Sequence, residues 1–302
     1  MASLSGGPSM RAMSVDLGVM GREYGPWEKS WTRDDVMLYA LAVGCGWDDL
    51  RFVTENSEDI DLEVLPTFAV KVGIAGPGFS FADFGDVAME SIVHGEQRIE
   101  FAGPIPVEGS VRVAGRITDV RDKGSGALVV TEWEAVDAAT GAPRFTNHTS
   151  FFLRGLGGFG DAHRDGSRES TPARPRPDRP PDRVVAYETA PTQTLLYRLA
   201  SDDHNRVHSD PRFARAAGFD RPILMGLGTL GFAGRALLDA VCDGDPARMR
   251  AIEGRFAAPA HPGDTLETAM WLDADGAGAT FTTTTQRGDV VLDRGRVEVG
   301  DR

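Results

Sequence analysis

Tyr197 to Leu230 reads YRLASDDHNRVHSDPRFARAAGFDRPILMGLGTL. Asp203, Asn205 and His208 fall within six residues, and a Gly-rich helix entrance, Gly226-Leu227-Gly228, follows about twenty residues downstream. On an α-helix, positions five apart point roughly 140° away from each other. Asp203 and His208 therefore converge only if the chain between them turns. Helix signals come just afterwards: Asp210 is a good N-cap, Pro211 suits the first helical position and Gly218 a stop. An acid, an amide and an imidazole on one tight loop make an acid–base constellation. The alternative is structural, with Asp203 and Asn205 capping turns and His208 filling a core niche.

The same residues resemble the hydratase 2 motif of MaoC-like dehydratases, Ser-Gly-Asp-x-Asn-Pro-Leu-His, then a short helix, Gly-Phe and Pro-Ile-Leu-His-Gly-Leu. Ser201, Asp203, Asn205, His208, Gly218, Phe219, Pro222, Ile223, Leu224, Gly226 and Leu227 match. Asp202 stands where the family has Gly, Arg206 where it has Pro, and Met225 where it has His. Asp202 adds a carboxylate beside Asp203, and like-charge repulsion of that kind raises a carboxyl pKa. Further segments, His94-Gly95-Glu96-Gln97, Asp122 to Ala127, Arg154 to Gly160 and Pro262 to Leu266, resemble the (R)-specific 2-enoyl-CoA hydratases. These include the hydratase 2 part of the peroxisomal multifunctional enzyme and its bacterial relatives. About the first twenty residues and the segment 161–182 are unmatched.

Composition bounds the answer. Hydrophobic residues at 41% with 25% charged suit a globular chain able to bury a sizeable core. Cys45 and Cys242 lie far apart and form neither a disulfide framework nor a zinc cluster, which suits a reduced, cytoplasmic setting. The start, MASLSGGPSMRAMSV, lacks the apolar core of a signal peptide, and no run approaches 18 apolar residues. A net charge of −13 disfavours nucleic acid and anionic membrane as partners.

Residues 1–22 read as a loose tail, 23–160 and 183–302 as two units, and 161–182 as a surface linker. In the first unit, Thr32 to Asp35 is a capping box opening a helix that stops at Gly44. LPTFAVKV follows with helical possibilities. Alternating runs then predict strands over 93–102, 110–120, 127–136 and 144–153. The second unit repeats this order: a strand start at 184–187, a lead-in from Gln193, a long helix from about Thr229 to Val241, and strands near 249–257, 265–273, 279–286 and 289–299. Phe101-Ala102-Gly103-Pro104 and Phe256-Ala257-Ala258-Pro259 fall at the same point of the two halves, which supports duplication. The linker holds five Pro, five Arg and five acidic residues and no large apolar side chain, so it cannot build a core. Pattern alone predicts a duplicated α+β chain. The resemblance implies a double hotdog, each antiparallel sheet wrapped round a long helix.

The resemblance also implies the chemistry: reversible hydration of trans-2-enoyl-CoA to (R)-3-hydroxyacyl-CoA at one active centre per chain, because the first half lacks the acid–base loop. His208 and Asp203 would hold one water, Asn205 would orient that water or the loop, and N–H groups near Gly226 and Gly228 would face the thioester oxygen. His94, Gly95, Lys123 and Phe256 match positions that contact the CoA thioester in the family. Phe256 can equally be a core aromatic. On an acidic chain the CoA phosphates need a local basic patch, for which Lys123 and Arg154 are candidates. The expected partner is an acyl-CoA thioester, with a homodimer as the assembly. Neither a metal nor a separate cofactor is expected, and the Gly155–Gly160 loop does not open a helix as a dinucleotide fingerprint would. A hotdog thioesterase would carry its carboxylate on the long helix. A non-catalytic acyl-CoA-binding partner would be expected to lack Asp203 or His208.

Overall fold

The computed structural model describes residues 14–160 and 176–301. The first half contains β1 (Ser14–Val15), β2 (Glu23–Trp31), α1 (Arg33–Ala42), α2 (Leu50–Val53), α3 (Ala69–Val72) and β3 (Gly85–Asp86). Four long strands complete it: β4 (Ile92–Phe101), β5 (Gly109–Asp122), β6 (Gly126–Asp137) and β7 (Pro143–Arg154). The second half runs β8 (Arg183–Glu188), α4 (Gln193–Ser201), α5 (Pro211–Ala216), α6 (Gly226–Val241), β9 (Met249–Phe256), β10 (Thr265–Leu272), β11 (Gly278–Thr285) and β12 (Val290–Val299). The alternation of apolar and polar residues places the long strands to within two residues of their expected limits. Thr32 and Asp35 form the capping box that starts α1, and Asp210 caps α5 with its side chain.

Ten strands form one antiparallel sheet in the order β2-β5-β6-β7-β4-β9-β12-β11-β10-β8. Each half contributes five, and the order reads as a palindrome about the β4–β9 seam. At that seam Ile99 faces Ile252, both fully buried. The two echo segments, Phe101-Ala102-Gly103-Pro104 and Phe256-Ala257-Ala258-Pro259, begin at the last residues of β4 and β9. The repeat in the sequence is thus a repeat in space.

Helix α6 is buried from Gly228 to Leu238 and touches all of β8 to β12, as a helix enclosed by its own sheet must be. Its glycines open the remaining face to the first half. A Cβ on Gly231 would lie 2.5 Å from Val43 Cγ1, and one on Gly234 would lie 2.6 Å from Thr67 Cγ2. Arg235, 5% exposed, extends from the same helix to pair with Asp49 at 2.8 Å and covers the Tyr187 ring at 4.0 Å.

Two expectations need correction. The first half has no long helix under its sheet. Its counterpart is a 3-10 turn, Pro66–Phe68, continuing into α3. Asn147 Nδ2 donates to the carbonyls of Ala69 (3.3 Å) and Gly73 (3.2 Å) and so takes over the helix end, and a Cβ on Gly73 would strike Phe145 at 2.3 Å. Residues 14–22 are not a loose tail: β1 pairs with β3, Asp16 caps the turn Leu17–Val19, and Val19 is buried. Residues 1–13 and most of the expected linker, 161–175, lie outside the described residues. The linker's last residues lie along β10, where Trp271 Nε1 donates to Arg179 O at 2.8 Å and Asp182 N to Met270 O at 2.8 Å.

Packing at the Gly231 contact sets a limit that substitution can test. Gly231→Val would gain helix propensity of under about 1 kcal/mol but overpack Val43 and the Tyr39 hydroxyl, a cost of about 1–3 kcal/mol or more. The expected outcome is a net loss of stability, read as a lower urea midpoint with an unchanged slope.

Candidate active site

The turn that brings Asp203 to His208 is built by its own side chains. Ser201 Oγ donates to Tyr197 O at 2.8 Å, closing α4, and accepts from Asp203 N at 3.2 Å. Asp202 takes the left-handed conformation (φ +59°) as the C-cap of α4, a place where Gly is the usual residue and Asp is tolerated. Asp203 Oδ1 accepts from Asn205 N at 2.9 Å, and Asn205 Oδ1 accepts from Val207 N at 3.2 Å. Asn205 therefore starts the 3-10 turn Arg206–His208, and its oxygen serves the loop. Where the related motif has Pro, Arg206 holds the loop by pairing with Asp210 at 2.6 Å and covering Phe213 at 5.1 Å. Met225, in place of His, is buried at the N-cap of α6.

His208 Nε2 lies 3.8 Å from Asp203 Oδ2. That is too long for a direct hydrogen bond and short enough for one water to touch both. On the other side of the ring, Nδ1 is 2.9 Å from Ile223 O. A carbonyl only accepts, so Nδ1 carries the proton and Nε2 presents a lone pair towards Asp203. Burial holds the imidazole pKa below its usual value, while the Asp203 charge and the Ile223 carbonyl oppose that shift. The His208 side chain is 11% exposed and the Asp203 side chain 41%, so the pair faces an opening.

Three residues beyond Ile223, α6 begins at Gly226 with no side-chain cap. The first intrahelical acceptor is Met225 O, taken by Thr229 N at 3.0 Å. The N–H groups of Gly226, Leu227 and Gly228 precede it and have no carbonyl within the helix to bond. Cβ atoms at Gly226 and Gly228 would meet the rings of Phe256 at 3.0 Å and Tyr197 at 3.2 Å. His94 stands edge-on to Phe256 with ring centroids 4.7 Å apart. Its Nε2 donates to Gln97 Oε1 at 3.2 Å, and burial lowers its pKa to about 4. A cavity of about 690 Å³ opens beside these residues, lined by Phe79, Phe81, Phe151, His94 and Leu227. It occupies the space over the shortened first-half helix.

Gly95 sits at a β-bulge, where the β4–β7 register shifts between His94 and Glu96, and a Cβ there would lie 2.9 Å from Ser150 Oγ. Lys123 is in the β5–β6 hairpin turn, and Arg154 pairs with Gly126 across β6 and β7. Both side chains are exposed at the His94 end of the sheet. Asp122 ties that hairpin to the Gly155–Gly160 loop by accepting from Gly124 N, Gly158 N and Gly160 N at 2.7, 3.0 and 2.6 Å. Of the expected site residues His94 lines this cavity, and Phe256 joins it to Gly226, whose neighbour Leu227 also lines it. Asp203, Asn205 and His208 form their own turn, tied through Ile223 to the segment before α6, and Lys123 and Arg154 lie outside the cavity lining. Sequence reasoning missed the Ile223 carbonyl, which has no side-chain signal. It also missed Phe79 and Phe81, whose clustering in GPGFSFADF was the available sign.

Fold and site together define a duplicated hotdog with the Asp203–His208 turn before its long helix. The MFE-2 hydratase 2 N-terminal domain matches residues 30–155 and the MaoC like domain matches residues 172–292. The chain is 42% identical over 296 residues to 3-hydroxyacyl-thioester dehydratase Y of Mycobacterium tuberculosis, covering 95% of this chain and 99% of that one. It is 39% identical to the probable enoyl-CoA hydratase 2 of Dictyostelium discoideum over 86% of this chain and 88% of the relative. The crystal structure of a MaoC-like dehydratase from Phytophthora capsici superposes with a TM-score of 0.83 at 29% identity, covering 95% and 98% of the two chains. The chain belongs to the hydratase 2 branch of the MaoC-like dehydratases, and its fold is the double hotdog.

The imidazole shifts have a direct readout. In an NMR titration His208 should remain neutral below pH 6.5, and His94 should hold its neutral form down to about pH 4. Unfolded histidines take their proton near 6.5, so both groups favour the fold above that value. Their contribution is lost as pH falls from 6.5 towards the folded pKa. A His94 that titrates near 6.5 in the folded protein would contradict its burial.

Proposed function

We propose that this chain catalyses the reversible hydration of trans-2-enoyl-CoA to (R)-3-hydroxyacyl-CoA, with Asp203 and His208 as the acid–base pair. The observation that carries the reading is the His208 imidazole, held by Ile223 O so that its lone pair meets Asp203 across 3.8 Å, beside the uncapped start of α6. Hydration makes three demands. Water must lose a proton as its oxygen bonds to C3, a proton must reach C2, and the charge moving onto the thioester oxygen must be held. The Nε2 lone pair meets the first, and Asp203 grips the same water and shares the return of a proton to C2. The N–H groups at Gly226 to Gly228 meet the third, aided by the helix dipole, and glycine there lets the thioester approach. Coenzyme A enters as part of the substrate, and none of these steps needs a separate cofactor.

His94, Gly95 and Phe256 border the thioester in this reading, the aromatic cavity takes the acyl chain, and Lys123 and Arg154 meet CoA phosphates. The only carboxylate on α6 is Asp239, in its last turn and bonded to Arg51 and Tyr187, which weighs against thioester hydrolysis from that helix. The proposal extends to a homodimer in a reduced cytoplasm, where the buried thiols of Cys45 and Cys242 would persist.

Asp203→Asn and His208→Ala should each lower kcat about 10²-fold or more with the fold intact, and the double change should be far from additive. Loss of enoyl-thioester absorbance without thiol release is the assay. Thiol release instead, or near-normal turnover in either variant, would remove the mechanism.

Lys123→Ala should raise KM several-fold with little change in kcat, because a cation on the CoA arm acts in ground and transition state alike. Added salt should narrow the difference. An unchanged KM at low ionic strength would take Lys123 out of the site.

A further inference from the structure

The imidazole of His208 is only as well placed as the carbonyl it leans on. Ile223 O belongs to the irregular segment joining α5 to α6, which has no helical or sheet ladder of its own. Two contacts from the loop before β10 hold that segment. Leu224 N donates to Ala260 O at 2.8 Å, and His261 Nδ1 lies 3.1 Å from Pro222 O. Two consecutive carbonyls, Pro222 O and Ile223 O, thus each receive an imidazole Nδ1–H.

His261 is itself rigidly held. Its backbone N donates to Asp264 Oδ2 at 2.8 Å, and Asp264 is 1% exposed. The Asp264 carboxylate takes both nitrogens of the Arg287 fork, at 2.6 and 2.9 Å, and Gln286 Nε2 at 3.2 Å. Asp264 N returns a bond to His261 O at 3.0 Å, and Gly263 N donates to Thr189 Oγ1 at 2.9 Å. The carboxylate is buried although the Arg287 side chain is 43% exposed, and the bidentate fork fixes its orientation better than a single bond would. The hub is stiff, and His261 is its reach towards the catalytic side.

We propose that His261 is a positioning residue for the hydration reaction: it clamps the Pro222 carbonyl and thereby sets the Ile223 carbonyl and the angle of the His208 ring. The inference rests on the reading of His208 as the base. It touches no reacting atom. Its effect follows from the steep dependence of proton transfer on placement, where an error near 1 Å costs on the order of 10²-fold.

The test replaces His261 three ways and measures steady-state kinetics on an enoyl-CoA, with thermal melting as a fold control. His261→Leu should lower kcat about tenfold with KM within twofold of the parent. His261→Asn, whose amide nitrogen falls close to the Nδ1 position, should recover most of that loss. His261→Gln, which carries its nitrogen one atom further out, should not. If the Leu variant yields no folded protein, the contrast between Asn and Gln decides alone. In a His208→Ala background, His261→Leu should lower the residual turnover no further, whereas a fold-wide defect would lower it again. A His261→Leu kcat within twofold of the parent, equal behaviour of Asn and Gln, or a further loss in the His208→Ala background overturns the clamp. Near-normal turnover of His208→Ala alone would instead sink the reading of the base.

Discussion

Everything turns on a helix whose middle is enclosed on all sides. From Gly228 to Leu238 α6 has no solvent face to spare: Leu230, Phe232, Leu237 and Leu238 are all 2% exposed or less. Burying such side chains stabilises the fold by about 1.5–3 kcal/mol each, before the entropy of ordering them is set against it. The sheet of the second half surrounds most of the helix, and the first half must cover what is left. Glycine is what permits that cover. Gly231 and Gly234 let Val43 and Thr67 approach to distances a methyl group would block. Each costs roughly 1 kcal/mol of helix propensity relative to Ala, which the close contact between halves offsets. At its first turn the same helix uses glycine to admit the rings of Phe256 and Tyr197, which a Cβ would crowd at 3.0 and 3.2 Å.

Duplication explains the frame, and its imperfection explains the site. Ten strands in a palindromic order make the halves alike, yet only one encloses a long helix. In the first half Asn147 and the crowding at Gly73 end the corresponding helix within a few residues. The space so released holds the aromatic-lined cavity, and its border with the second half runs from His94 to Leu227. One half thus has a short helix and the cavity, while the other has the long helix and the Asp203–His208 turn.

Much of this was legible because the signals are local. Strand alternation, the Thr32–Asp35 box, the Asp210-Pro211 start and the Asp203–His208 turn depend on neighbours within a few residues. Distant partners were not legible. The Ile223 carbonyl meets His208 from 15 residues away, Asn147 reaches Gly73 from 74, and His261 meets Pro222 from 39. Backbone acceptors carry no residue signature, and His261 is one histidine among six until the chain is folded. The expected loose tail failed for the same reason. Val19 looks unremarkable in sequence, and the segment that carries it is held by β3, which pairs with β1, and by Ile117, which bonds to Gly21 and Arg22, all far downstream.

Departures from the related motif show how loop geometry survives a change of residue. Asp202 occupies a left-handed position that would suit Gly, and αL there costs Asp less than it would a β-branched residue. Its charge is felt by Lys29 of the first half, where it opposes the lowering of the lysine pKa by burial, so the added carboxylate has a cation to act on. Arg206 cannot restrict its own φ as Pro would. It restricts the loop from outside, through an ion pair to the residue that caps α5 and a cation–π contact with Phe213 on that helix. The loop is therefore tied at both ends to helices, by Ser201 at the end of α4 and by Asp210 at the start of α5. Within that double attachment the Asp203 carboxylate accepts from Asn205 N and the His208 ring leans on Ile223 O, so both side chains are fixed by contacts other than each other. The 3.8 Å gap between them is thus set by the loop and by the segment before α6 together.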